Sequence, residues 1–96
     1  MQDDQIDLVF KALAHRERRR ILASLLTRPE QSLFEICASS IADGGLALSR
    51  QTISQHLETL EASGLVEVVW KGRTKVHSVN LVPLRKAMEL TKKAYL

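Results

Sequence analysis

Little in this sequence invites chemistry. One cysteine, Cys37, stands alone in 96 residues, so no disulfide can form within the chain. Such usage fits a reducing compartment, and a cytoplasmic location is expected. No apolar run approaches the roughly 18 residues needed to span a bilayer. Met1-Gln2-Asp3-Asp4 is acidic where a secretory signal would be basic, so no membrane partner is expected. Nucleophile–base pairs, carboxylate pairs and phosphate-cradling glycine loops are all missing, and Gly44-Gly45 has neither a lysine nor a preceding strand. The chain is expected not to be an enzyme and to need no cofactor. Repeats, low-complexity tracts and linkers are absent too, which leaves one domain spanning residues 1–96.

What is present is an ordinary globular composition, 45% hydrophobic and 26% charged. The net charge of +3 leans weakly toward an anionic partner. Residues 3–14 carry Ile6, Val9, Phe10 and Leu13 at helical spacing, with Asp3 and Asp4 placed to cap the start. Residues 16–27 repeat the period with Ile21, Leu22, Leu25 and Leu26 before Pro29. Ser32-Leu33-Phe34-Glu35 has the form of a capping box, opening a third helix with Leu33, Ile36, Cys37 and Ile41 inward. Asp43-Gly44-Gly45 breaks it.

Ser49 caps a fourth helix reaching about Ala62, with Ile53, Leu57 and Leu60 inward and Gly64 as its left-handed terminator. The apolar period then changes from helical to alternating. Val66, Val68 and Trp70, then Gly72-Arg73, then residues 75–80 read as a tight hairpin. A two-residue loop at Gly72-Arg73 pairs Val69 with Val76 and Trp70 with Lys75, whose stem would cover the indole. Pro83 opens a last helix bearing Leu84, Met88, Thr91 and Tyr95. The expected fold is mostly α with a small β-hairpin, an α+β arrangement in the order ααααββα.

The fourth helix carries the functional signal. Its outer face reads Arg50, Gln51, Thr52, Ser54 and Gln55, with acids only at Glu58 and Glu61. Such side chains suit base edges and phosphates, and the N–H groups after Ser49 suit a phosphate. Taken alone, the same face is equally a solvated one. The hairpin adds Lys71, Arg73 and Lys75 with no acid between them, a basic tip suited to a phosphate backbone or a minor groove. Gln51 or Gln55 fits an adenine contact and Arg50 a guanine contact, a choice the residues leave open. His56 follows them as a partly packed helix residue and is counted with Ser49 and Thr52 among the candidate DNA-binding residues.

Leu13-Ala14-His15, Arg18 through Leu22, Ser49 through Leu60, Gly64-Leu65-Val66 and Gly72-Arg73 together resemble the ArsR-type (arsenic-repressor type) regulators. The resemblance covers nearly the whole chain and is strongest in Ile53-Ser54-Gln55-His56-Leu57-Glu58-Thr59-Leu60. It implies a winged helix-turn-helix homodimer, joined through its first and last helices, that represses from an inverted repeat in double-stranded promoter DNA. It puts Arg50, Gln51, Ser54 and Gln55 toward the major groove and Arg73 on the wing. Residues 3–14 and 83–95 would then dimerise, through Leu8, Ala12, Leu84, Met88, Thr91 and Tyr95.

The departures bear on metal. Glu35-Ile36-Cys37-Ala38-Ser39 has serine where metal-sensing members carry a second cysteine, and the last helix offers only Glu89 among lysines. His15, His56 and His77 fall on three elements without ligand spacing, so no metal site is expected and no effector is named. Arg16, Arg18, Arg19 and Arg20 suit either phosphate contact or a solvated face paired with Glu17. A protein-docking winged helix without DNA binding is the rival to the whole reading.

Overall fold

The computed structural model describes residues 1–42 and 48–96. Its elements are α1 (Asp3–Leu13), α2 (Arg16–Thr27), α3 (Leu33–Ala42), α4 (Arg50–Ala62), β1 (Val66–Lys71), β2 (Thr74–Val79) and α5 (Val82–Tyr95). That is the expected ααααββα order. The break at Asp43-Gly44-Gly45, and with it most of the 43–48 connection, lies outside the described residues.

Local chemistry sets the helix ends. Ser32 and Glu35 close a reciprocal capping box, backbone N–H of each to side-chain oxygen of the other, at 3.1 and 3.2 Å. Ser49 Oγ accepts the Thr52 N–H at 3.1 Å at the start of α4. Gly64 ends the passage out of α4 at φ +80°, a conformation that penalises any Cβ. At α1 the cap is Gln2, whose N–H donates to Gln5 Oε1 at 2.8 Å, rather than Asp3 or Asp4.

The hairpin register matches expectation, with Val69 opposite Val76 and Trp70 opposite Lys75. Gly72 has φ +62° while Arg73 keeps a negative φ, the pattern of a II′ turn. Trp70, however, is 66% exposed, so the Lys75 stem does not cover it. It lies near the hairpin tip, beyond the helices that bury the strand bases.

One core joins all the elements, with β2 reaching it through Val79 at its edge. Val9 and Ala12 of α1 meet Ile21, Leu22 and Leu25 of α2, Ile36 of α3, Ile53, Leu57 and Leu60 of α4, and then Leu65, Val66 and Ala87. Ala12 was assigned above to a dimer surface; it is instead wholly buried. Helix α1 rests on α4 through the Val9/Ala12 edge, and this rotation turns Phe10 outward. Leu26 and Ile41, expected inward, are exposed, while Ser24 and Ser40 on the same helices are buried. Small residues let α2 and α3 pack closely where larger ones would separate them.

Candidate nucleic-acid interface

The first two turns of α4 present the side chains singled out above. Arg50, Gln51 and Gln55 are exposed and Ser54 is half-buried. None of the four has a side-chain hydrogen bond within the described residues, so their donors and acceptors face solvent. Thr52 differs, because its Oγ1 lies 2.9 Å from Ser49 Oγ and serves the cap.

The wing is held at an angle by a buried hub that the sequence reading missed. His77, 3% exposed, donates its backbone N–H to the Gln31 carbonyl at 2.9 Å, and its Nδ1 meets the same oxygen at 2.9 Å. A carbonyl only accepts, so Nδ1 carries the proton. Gln31 in turn donates to the Arg28 carbonyl at 2.7 Å and to Ser24 Oγ at 3.2 Å, and accepts from Ser39 Oγ at 2.8 Å. One glutamine thus joins α2 and α3 through its amide and β2 through its backbone carbonyl. No spacing rule flags a lone glutamine outside a helix, which is why it stayed invisible.

Of the basic wing residues, Arg73 and Lys75 are exposed at and beside the tip. Lys71 is different, since its ammonium pairs with Glu30 from the turn before α3. That turn puts Glu30 at φ +62°, the sole non-glycine in the left-handed region among the described residues. An exposed pair of this kind contributes little stability, so Lys71 remains exchangeable for a phosphate.

Wing and α4 enclose an open groove of about 430 Å³. Arg50, Ser54, Leu57, Glu58 and Glu61 form the α4 wall, Arg73, Thr74, Lys75 and His77 the wing wall, and Ser32, Leu33 and Phe34 its end. Phe34 is 74% exposed there and was missed because it sits one position off the Leu33/Ile36/Cys37 stripe of α3.

Among the arginines at the start of α2, Arg20 pairs with Glu17, as one of the readings above had it, while Arg18 and Arg19 turn to α1. Arg18 donates from Nε to the Ala12 carbonyl at 2.9 Å and from Nη2 to the Lys11 carbonyl at 2.7 Å. Arg19 Nη1 donates to the Leu13 carbonyl at 2.6 Å. Both close the C-terminal end of α1, which leaves them partly used. Glu17, expected in solvent, is 2% exposed, with Arg20 Nε at 3.6 Å. The histidines also depart from expectation, for the His15 and His56 rings lie 4.4 Å apart. Among the described residues no group of three histidine, cysteine or acidic side chains is placed to hold a metal ion. Cys37 packs half-buried against the core.

Residues 13–69 match a helix-turn-helix domain family, a segment that runs from the end of α1 through most of β1. The HTH-type transcriptional regulator YuzN of Bacillus subtilis strain 168, itself uncharacterized, is 39% identical over 83 residues, covering 86% of this chain and 90% of its own. An ArsR-like transcriptional regulator from Rhodococcus sp. RHA1 superposes with a TM-score of 0.74 at 33% identity, over 95% of this chain and 79% of that one. The chain belongs to the ArsR-type winged helix-turn-helix regulators. A homodimeric winged helix-turn-helix DNA-binding domain from Mycobacterium bovis, a possible ArsR-family regulator, is similar at a TM-score of 0.66 and 28% identity, over 98% and 87% of the two chains.

This regulator therefore has the helix-turn-helix DNA-binding fold, with α3 and α4 as its two helices and the hairpin as its wing. Opposite that face, α5 buries only Ala87. A groove of about 750 Å³ separates α5 from α1, lined by Ile6 and Phe10 on one side and by Leu90, Thr91 and Tyr95 on the other. Leu8, Met88 and Tyr95 are exposed, while Leu84 and Thr91 are half-buried. No helix among the described residues is long and apolar enough to cross a membrane.

Proposed function

We propose that this regulator is a homodimeric repressor that reads an inverted repeat in double-stranded promoter DNA. In this reading residues 1–96 act as one DNA-binding unit. Helix α4 and wing residues 66–80 meet the duplex, and α1 and α5 join two copies. The observation that carries it is the set of unpartnered side chains of Arg50, Gln51, Ser54 and Gln55 on a capped helix, of which Arg50 and Ser54 face Arg73 and Lys75 across one groove. A docking surface has no need of so many free donors beside two free cations. The thin attachment of α5 and its exposed Met88, Leu90 and Tyr95 support the dimer, as does the homodimeric relative. Two copies would set their α4 helices about 34 Å apart, one turn of the duplex.

The test is a selection of bound duplexes from random-sequence DNA, followed by titration of two variants against the selected and random sequences. Gln55→Ala should lose about 1–3 kcal/mol on the selected duplex and little on random DNA. Arg73→Ala should weaken both alike and flatten the salt dependence by about one unit. Equal losses on every sequence would remove the base-reading role of Gln55. No loss in either variant, with the fold intact, would transfer this face to protein docking.

A further inference from the structure

Three elements meet at one guanidinium. Besides holding the Ala12 and Lys11 carbonyls of α1, Arg18 places Nη1 3.3 Å from Nδ1 of His56 on α4. His56 lies between Gln55, an exposed reader, and Leu57, a core residue. We propose that Arg18 and His56 are positioning residues for DNA binding: their contact fixes the recognition helix against α1, and it holds only while the imidazole accepts a hydrogen bond. The proposal rests on the DNA-binding reading above and extends it to a dependence on protonation.

The chemistry is one-sided. A guanidinium carries five donors, no acceptor, and keeps its charge at any relevant pH. The His56 Nδ1 must therefore be the acceptor, with the ring proton on Nε2. A proton added at Nδ1 sets donor against donor and cation against cation at 3.3 Å. His15 repeats the arrangement, for its Nδ1 accepts the Glu17 N–H at 3.1 Å as the cap of α2. The His15 ring centre lies 4.4 Å from that of His56. Burial foremost, then His15 and Arg18, hold the His56 imidazole below its ordinary 6.5, with Glu17 opposing them. These three groups, all at the entrance to α2, are the ionisable neighbours acting on the ring.

The functional consequence has a diagnostic sign. A histidine that touches phosphate binds DNA more tightly as it gains a proton. A histidine that must stay neutral to hold α4 does the opposite. Because α1 belongs to the proposed dimer surface, a loosened Arg18–His56 contact frees the angle between that surface and α4, and hence the spacing of two recognition helices.

The probe is a labelled duplex recovered by the selection above, titrated with the full chain between pH 7.5 and pH 5.5, with circular dichroism confirming the fold at each pH. Wild-type affinity should fall several-fold across that range, short of the roughly tenfold ceiling that an unshifted imidazole would reach at pH 5.5. His56→Asn, whose amide oxygen occupies the Nδ1 position and does not titrate, should show a smaller ratio between the two pH values. His56→Gln, which reaches the Nε2 position instead, should not reproduce the wild-type affinity at pH 7.5. In the DNA-free protein, Arg18→Met, which removes both the charge and the donor, should raise the NMR-titrated pKa of the His56 ring. Affinity that rises or stays level on acidification, or an unchanged profile in His56→Asn, would overturn the proposal while leaving DNA binding in place. Failure to recover any duplex would overturn the DNA-binding reading itself, and this extension with it.

Discussion

His77 and Gln31, 46 positions apart, share one carbonyl oxygen, which takes both the backbone N–H and the Nδ1 of the histidine at 2.9 Å each. This pair, rather than apolar packing alone, fastens the base of the wing to the turn ahead of α3. Gln31→Ala keeps that carbonyl but strips the amide from Ser24, Ser39 and the Arg28 carbonyl, leaving buried Ser24 with only its bond from Arg28. It should lose about 1–3 kcal/mol in urea denaturation. Hydrogen exchange at the His77 amide should accelerate in the same variant. An unchanged midpoint would mean that water replaces the amide without loss.

Two glycines separate backbone strain from crowding. Gly64 and Gly72 both have positive φ, at +80° and +62°. A Cβ at Gly64 would also lie 3.2 Å from Pro83 Cγ, whereas one at Gly72 would meet nothing within 4 Å. Gly64→Ala should therefore destabilise by about 1–3 kcal/mol, and Gly72→Ala by less. Thermal melts of the two variants side by side will show whether the Gly64 contact with α5 matters.

The dimer rests on the outer faces of α1 and α5. Leu90 is partly exposed on the groove between them and makes no part of the chain's own buried core. Leu90→Asp should sediment as a monomer at micromolar concentration while keeping its helical circular dichroism. Its affinity for a selected two-half-site duplex should fall by about a hundredfold, the advantage of linked sites. A wild-type chain that is itself monomeric under these conditions would remove the dimer from the proposal.

Acid should loosen the entry to α3. The Glu35 carboxyl is held below its ordinary 4.5 chiefly by the Ser32 backbone N–H and then by the Ser32 side chain. A depressed carboxyl contributes stability that is fully present above pH 4.5 and is lost as pH falls through the lowered value. Glu35→Gln should keep the reciprocal cap without this titration, so its stability should change less than that of wild type between pH 5 and pH 3. Equal slopes for both proteins would show that the loss comes from other carboxyls.

Element order, hairpin register and the helix ends at Ser32, Ser49 and Gly64 were legible in the residues alone. Each is local: a cap needs one side chain three positions from its amide, and a strand pair needs one turn and an alternation. The exposed face of Arg50, Gln51 and Gln55 was legible for the same reason, because Ile53, Leu57 and Leu60 leave it no other direction. What tertiary structure decided was rotation and long-range pairing. Whether Ala12 or Phe10 faced inward depended on which edge of α1 met α4, a rotation that apolar spacing alone does not resolve. The Gln31 hub, the Lys71–Glu30 pair and the Arg18–His56 contact join residues 38 to 46 positions apart. Each needs two surfaces brought together before its polar atoms are neighbours, and no pattern along the chain encodes that meeting.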